Sequence, residues 1–167
     1  MKDYLGISGK AAIVTGSGRG IGQGVAEALA ADCGGQMRPL YPCLTALQCA
    51  KPNKSLAGIR AKGGTAEYCH CDIMQTEQIN ALIARTVEVF GTVDFLINNG
   101  GGGEAPRDFF DLDDARFDHY VRLNLYSAFA AIRAAFPYMR KQNSGRIVNI
   151  SSGYALCGGE QCAHYAS

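Results

Sequence analysis

No stretch of this 167-residue sequence approaches the roughly 20 consecutive apolar residues that crossing a bilayer takes. An excess of either charge is equally lacking. Sixteen Lys and Arg stand against fifteen Asp and Glu, a formal net charge of +1, so nothing global points to nucleic acid or an anionic membrane surface. The amino terminus, Met1-Lys2-Asp3-Tyr4-Leu5-Gly6, has no apolar core of the kind a secretory signal carries, and a cytoplasmic location is expected. Cysteine shows no pairing pattern. There are seven, an odd number at irregular spacing, which argues against a disulfide framework. What is present is enough apolar material for a core: 47% hydrophobic against 19% charged excludes a disordered tail. The length favours one domain over residues 1–167, with no internal repeat or low-complexity linker. The 21 glycines cluster at a few loops.

Apolar periodicity alternates between two kinds. Residues 10–16, Lys-Ala-Ala-Ile-Val-Thr-Gly, read as a short buried strand ending in a glycine turn. Residues 20–31 follow with Ile21, Val25, Ala28 and Leu29 at helical spacing, and residues 66–71 alternate like a strand. A helical stripe of Ile79, Leu82, Ile83, Val87 and Phe90 runs through residues 76–90. Residues 93–97, apolar apart from Asp94, read as a strand that ends at Asn98-Asn99 and four glycines, and residues 145–151 read as a third buried strand. Between these two, residues 111–141 are long enough for one extended helix, with a break expected before Pro137. Largely apolar strands alternating with helices indicate a parallel sheet covered on both faces, hence an α/β fold of the doubly wound, Rossmann-like kind.

One segment breaks the pattern. A second strand belongs near residues 36–42, where Gln36-Met37-Arg38-Pro39-Leu40-Tyr41-Pro42 stands. Two prolines remove ladder donors and demote any strand there to an edge at best. Residues 33–53 hold three cysteines and three prolines and are expected to be irregular, either a long surface insertion or a stretch altered by a local frameshift.

Four groups of residues carry chemistry. Thr15-Gly16-Ser17-Gly18-Arg19-Gly20-Ile21-Gly22 lies between the first strand and the first helix. Glycines let phosphate oxygens approach main-chain N–H groups, and the helix N-terminus favours a pyrophosphate. Its spacing departs from Gly-x-Gly-x-x-Gly. Asp72-Ile73 follows the strand at 66–71, where the acid could meet an adenine ring or serve as an ordinary turn aspartate. Asn98-Asn99-Gly100-Gly101 forms a tight turn at the sheet's carboxyl edge, where doubly wound folds bind ligands. Ser151-Ser152 ends the last strand, with Tyr165 thirteen positions on.

Together these resemble the short-chain dehydrogenase/reductase family, classical type, with its Thr-Gly-x-x-x-Gly-x-Gly cofactor loop. The matching positions are Thr15, Gly16, Gly20 and Gly22, then Asp72, Asn98-Asn99-x-Gly101, Asn124, Ser152 and Tyr165. The resemblance implies an oxidoreductase that moves hydride between NAD(P)(H) and a small alcohol or carbonyl substrate. Tyr165 would be the general acid/base, Ser152 would stabilise charge on the substrate oxygen, and Asn124 would hold the long helix open around a water of the proton relay. Gly16, Ser17, Arg19, Gly20, Ile21, Gly22, Asp72, Ile73, Asn99, Gly100 and Gly101 would line the cofactor. The family's lysine, four positions after the tyrosine, would be residue 169, beyond Ser167. That lysine lowers the pKa of a group whose free value is near 10. The family's last helix and strands and its substrate-covering loop would also follow, so the chain looks truncated, with Tyr165 at a frayed end and activity weak or absent.

Other departures are milder. Gly100 stands where alanine is usual, and no acid can be placed at the end of the second strand to bind the adenosine ribose. Arg19, with help from Arg38, tilts the cofactor choice from NAD towards NADP. A non-catalytic remnant that binds nucleotide or associates with full-length relatives is the alternative function. Cys69-His70-Cys71 reads as core thiols and not a metal site, because in a strand His70 faces away from its neighbours. Cys157 and Cys162 lack a convincing base, although His164 is near. Asp111, Asp113, Asp114, Arg116 and Asp118 read as the solvated start of the long helix. Phe129, Ile132 and Phe136 read as core or as a subunit contact, the latter giving a homo-oligomer through the 111–141 helix.

Overall fold

A computed structural model describes residues 7, 9–32, 38–43, 57, 59–60, 66–106 and 108–166. Five parallel strands form one sheet: β1 (Ala11–Val14), β2 (Arg38–Cys43), β3 (Glu67–His70), β4 (Phe95–Asn98) and β5 (Arg146–Asn149), in the order β3-β2-β1-β4-β5. The chain therefore runs outward from β1 in one direction, then returns to place β4 on its other side. The reversal opens a crevice at the carboxyl ends of β1 and β4, the switch point of a doubly wound sheet.

Both faces of the sheet are covered, as continuous apolar strands require. In β1 the side chains alternate. Ala11 and Ile13 enter a cluster with Ile79, Leu82, Ile83, Leu96, Ala130, Ala131 and Ala135, while Ala12 and Val14 enter one with Ala26, Ala30 and Ile97. The first cluster is closed by α2 (Thr76–Phe90) and α4 (Ser127–Lys141), the second by α1 (Gly20–Asp32). Within α1 the buried positions are Gly22, Ala26 and Ala30, with Val25 and Leu29 partly covered. Ile21 and Ala28, counted on that stripe from spacing, are exposed. The small alanines let α1 lie close to the sheet, and this placement decides which face is buried.

Several expectations need correction. Residues 38–43 form an interior strand, paired with β1 on one side and β3 on the other, and not an edge. Each of Pro39 and Pro42 lacks an N–H donor, yet both stand in register with a neighbouring strand, Pro39 with Ala12 of β1 and Pro42 with Cys69 of β3. The neighbouring stretches 33–37 and 44–56 lie outside the described residues, so the irregularity expected over 33–53 can be followed only at β2. Strand β4 begins at Phe95, two residues after the apolar run starts. Strand β5 is not buried: Val148 is 47% exposed, because the strand stands at the sheet's edge with no further strand beyond it among the described residues.

The long helix also differs. Its first turn begins after Asp113, whose carboxylate accepts from the Arg116 N–H at 2.7 Å and caps α3 (Asp114–Val121). A separate turn of 3₁₀ helix covers Phe109–Asp111. The irregular stretch is a π turn over Arg122–Tyr126, joined directly to α4, and Pro137 sits inside α4 without ending it. Pro137 is exposed, so water can take the carbonyl it leaves without a donor, while Ala130, Ala131, Ala135 and Met139 hold the opposite side in the core. Phe129 and Phe136 are about half exposed, and Ile132 packs at the core margin. No helix of the described residues is long and apolar enough to cross a membrane. Two short helices, α5 (Tyr154–Cys157) and α6 (Ala163–Ala166), follow β5.

Candidate active site

Thr15 is the joint of the crevice. Nearly buried just past β1, its Oγ1 accepts from the N–H groups of Asn99 at 2.9 Å and Gly100 at 2.8 Å. Asn99 answers from the other loop, its Nδ2 donating to the carbonyls of Thr15 at 2.9 Å and Gly16 at 3.2 Å. The glycine loop after β1 and the turn after β4 are thus one hydrogen-bonded unit. Glycine is required where the two approach. Gly16 has φ +65°, and a Cβ on Gly22 would lie 2.5 Å from the Gly16 carbonyl oxygen and closer still to Asn99. Ser17 is buried, whereas Arg19, Gly20 and Ile21 stand open to solvent at the start of α1, where the first N–H groups of a helix have no intrahelical partners.

The run continues into the helical layer. Asn124, in the π turn, accepts from the Gly102 N–H at 2.8 Å and donates to the Gly102 carbonyl at 2.9 Å. A Cβ on Gly101 would lie 2.6 Å from its Oδ1. The side chain is thus spent on the backbone of the glycine run. Next in that run, Gly103 lies beneath Tyr165, with room for a Cβ only at 3.1 Å from the ring. The Tyr165 ring meets Tyr154 edge to face, centroids 6.0 Å apart, and the Tyr154 N–H donates to Ser152 Oγ at 3.3 Å. Tyr165 is accordingly packed on two sides, not frayed. His164 is 2% exposed, its ring tilted by 53° against the Tyr120 ring of α3 with centroids 4.8 Å apart.

Asp72 stands apart from these residues, at the carboxyl end of β3, two strands from β1. Its Oδ1 accepts from the Met74 N–H at 2.9 Å, so it makes the ordinary turn bond as well as occupying the sheet's carboxyl edge. The Ile73 side chain is buried in the core cluster, which leaves only its backbone to meet a ligand. Cys71 is buried in the same cluster and Cys69 packs against it, while His70 is exposed. Burial pushes the Cys71 thiol up to about 12, with the charges of Cys69 and Asp72 adding to it. This is a core thiol, as the strand geometry indicated. A hollow lined by Phe136, Met139, Arg140 and Ile147 lies at the opposite end of β5, so concavity alone would point away from these residues. Spacing alone missed Gly103 and Tyr154, and it brought in His164 only as a neighbour of Cys157 and Cys162. Only Gly103 left a signal, as the last of four consecutive glycines.

Comparisons with known proteins agree with this geometry. The family described as short chain dehydrogenase matches residues 10–167. The 7alpha-hydroxysteroid dehydrogenase of Escherichia coli (strain K12) is 34% identical over 151 residues, which cover 90% of this chain and 56% of that protein. Among solved structures, a 7 alpha-hydroxysteroid dehydrogenase complexed with NADH and 7-oxo glycochenodeoxycholic acid superposes with a TM-score of 0.88 at 33% identity, covering 98% of this chain and 61% of that one. An NAD+-bound xylitol dehydrogenase gives 0.85 at 31%, covering 96% and 60%. The chain spans a little over half the length of the curated relatives it matches. By the extent of the family match and the coincidence of its motif positions with the crevice, this chain belongs to the short-chain dehydrogenase family.

Proposed function

We propose that the chain carries the dinucleotide-binding part, and the first members of the reaction centre, of an oxidoreductase acting on a small alcohol and its carbonyl counterpart. The observation that carries this reading is the Thr15–Asn99 junction. It brings a glycine loop, a helix N-terminus and a glycine turn together at the switch point, with Tyr165 seated on the continuation of that turn. The cradle suits a dinucleotide: two glycines pack against Asn99 too closely for any side chain, and the exposed start of α1 is left open to an anion. Gly16, Ser17, Arg19, Gly20, Ile21 and Gly22 would hold the pyrophosphate side. Asp72 and the Ile73 backbone would meet the adenine, and Asn99, Gly100 and Gly101 would line the nicotinamide side.

A nicotinamide, when bound, supplies or takes up hydride. The chain's own groups do the rest. Tyr165 Oη passes the proton to or from the substrate oxygen, and Ser152 Oγ hydrogen-bonds that oxygen as charge develops. Asn124 fixes the glycine run under Tyr165 through both of its bonds to Gly102.

NADP(H) is the favoured cofactor. No acidic residue occurs between Asp32 and Glu67, so no carboxylate follows β2 to take both ribose hydroxyls, and exposed Arg19 is free to meet a 2′-phosphate. Arg38 does not add to this, since it opens β2 at the sheet's other edge. A cytoplasmic setting accords with the four free thiols of the described residues, and a homo-oligomer accords with the exposed Phe129 and Phe136 on α4.

Titration with NADPH and NADH, followed by nucleotide fluorescence, tests the reading. Saturable binding with NADPH the tighter by about tenfold, about 1.4 kcal/mol, is expected, and an Arg19→Ala variant should lose that preference. Absence of binding by either nucleotide at millimolar concentration overturns the reading. Binding without reduction of any ketone would favour the nucleotide-binding module.

A further inference from the structure

We propose that Tyr154 is a specificity-determining residue of this site, a fixed aromatic wall that selects substrates with a bulky apolar face next to the reacting carbon. The inference rests on the functional reading above. Tyr154 touches both groups assigned to the substrate oxygen: its backbone N–H holds Ser152 Oγ at 3.3 Å, and its ring stands edge to face against Tyr165 at 6.0 Å and 86°. An oxygen that reaches Ser152 and Tyr165 together places its carbon substituents beside the residue common to both.

The ring is seated, not swinging. On its far side Gly159 approaches so closely that a Cβ there would lie 2.9 Å from Tyr154 Cδ1. The turn that brings Gly159 back uses Gly158 at φ +72°, bonded from its N–H to the Tyr154 carbonyl at 2.9 Å. Yet the residue remains 47% exposed, so part of the ring not taken by Tyr165 and Gly159 is open. A rigid, half-open aromatic ring beside a reaction centre offers apolar contact at little conformational cost. It fits a cyclic secondary alcohol or ketone better than a short open-chain one.

The test compares cyclohexanol with 2-propanol as binding probes on the NADP+-saturated 167-residue chain, by saturation-transfer NMR titration, in the wild type, Tyr154→Phe and Tyr154→Ala. The wild type and Tyr154→Phe should both prefer cyclohexanol, by about tenfold, the scale on which one apolar contact discriminates. Tyr154→Ala should abolish the preference while still binding NADP+. A preference that survives in Tyr154→Ala, or is missing from the wild type while NADP+ binds, overturns this inference alone. Failure of NADP+ to bind the wild type overturns the functional reading and the inference with it. Circular dichroism of each variant establishes that it is folded, and loss of the preference in folded Tyr154→Phe would likewise overturn the apolar-wall assignment.

Discussion

Single side chains in this molecule are fixed by a few very short distances. Gly22 is the strictest case, because a Cβ would sit 2.5 Å from the Gly16 carbonyl oxygen and against Asn99, both parts of the loop junction. Gly22→Ala is expected to destabilise the fold by about 1–3 kcal/mol, the range of other overpacked sites, and to weaken NADPH binding more than Gly24→Ala, whose Cβ meets open space. Thermal melts with a nucleotide titration check both. Cys71 gives a pH signature. Its folded thiol holds a proton up to about 12, whereas an unfolded thiol releases it near 8.5. The folded state therefore binds more protons between these values, and stability is lost as pH rises through that window. In melts from pH 8 to 11, Cys71→Val should show a shallower fall in Tm than the wild type. An equal slope would mean that the thiol contributes nothing.

At the scale of elements, β2 is the weak member of the sheet. It is paired on both sides but lacks the donors of Pro39 and Pro42, which stand in register with β1 and β3 respectively. Pro42→Val should restore a ladder bond and raise stability by about 0.5–1.5 kcal/mol, read as a shift in the urea midpoint. No gain would show that the strand has adapted around the proline. The helix from Asp114 to Lys141 makes the opposite point. A proline at position 137 is harmless on the solvent side, while the real irregularity at Arg122–Tyr126 carries Asn124, whose side chain bonds both ways to Gly102. Helix irregularities of this π kind occur often at functional sites, and here the turn joins the helical layer to the glycine run under Tyr165.

Taken whole, the molecule has one well-covered end and one open flank. Strand β5 has an unpaired outer edge among the described residues, with Val148 and Ile150 exposed nearby, and Phe129, Phe136 and Leu156 add apolar surface. Such an edge and such patches promote self-association. Sedimentation velocity is expected to show association that grows with concentration. Val148→Lys should reduce it if the edge dominates, and Phe136→Lys should do so if the α4 face dominates. A wild type that stays monomeric across the concentration range would refute this account of the flank.

Much of this was written in the chain order itself. Alternating apolar strands and amphipathic stripes dictate a parallel α/β sheet, because continuous apolar strands can be buried only between two layers. The bounds of α2 at Thr76 and Phe90, and the glycine positions that meet Asn99, follow from local patterns of spacing and turn chemistry. The family resemblance likewise rests on motif residues spread along the chain, Thr15 to Tyr165. Tertiary structure decided the rest, where the outcome depends on what lies across space. Whether Pro39 and Pro42 end a strand depends on whether two neighbours compensate for the lost donors. Whether β5 is buried depends on the strands beside it and not on Arg-Ile-Val-Asn. That Gly103 supports Tyr165, and that Tyr154 bridges it to Ser152, could not be read from spacing, since a contact between residues 62 positions apart leaves no period in the sequence. The sequence's local chemistry specified the cradle; packing alone set what stands against its reacting group.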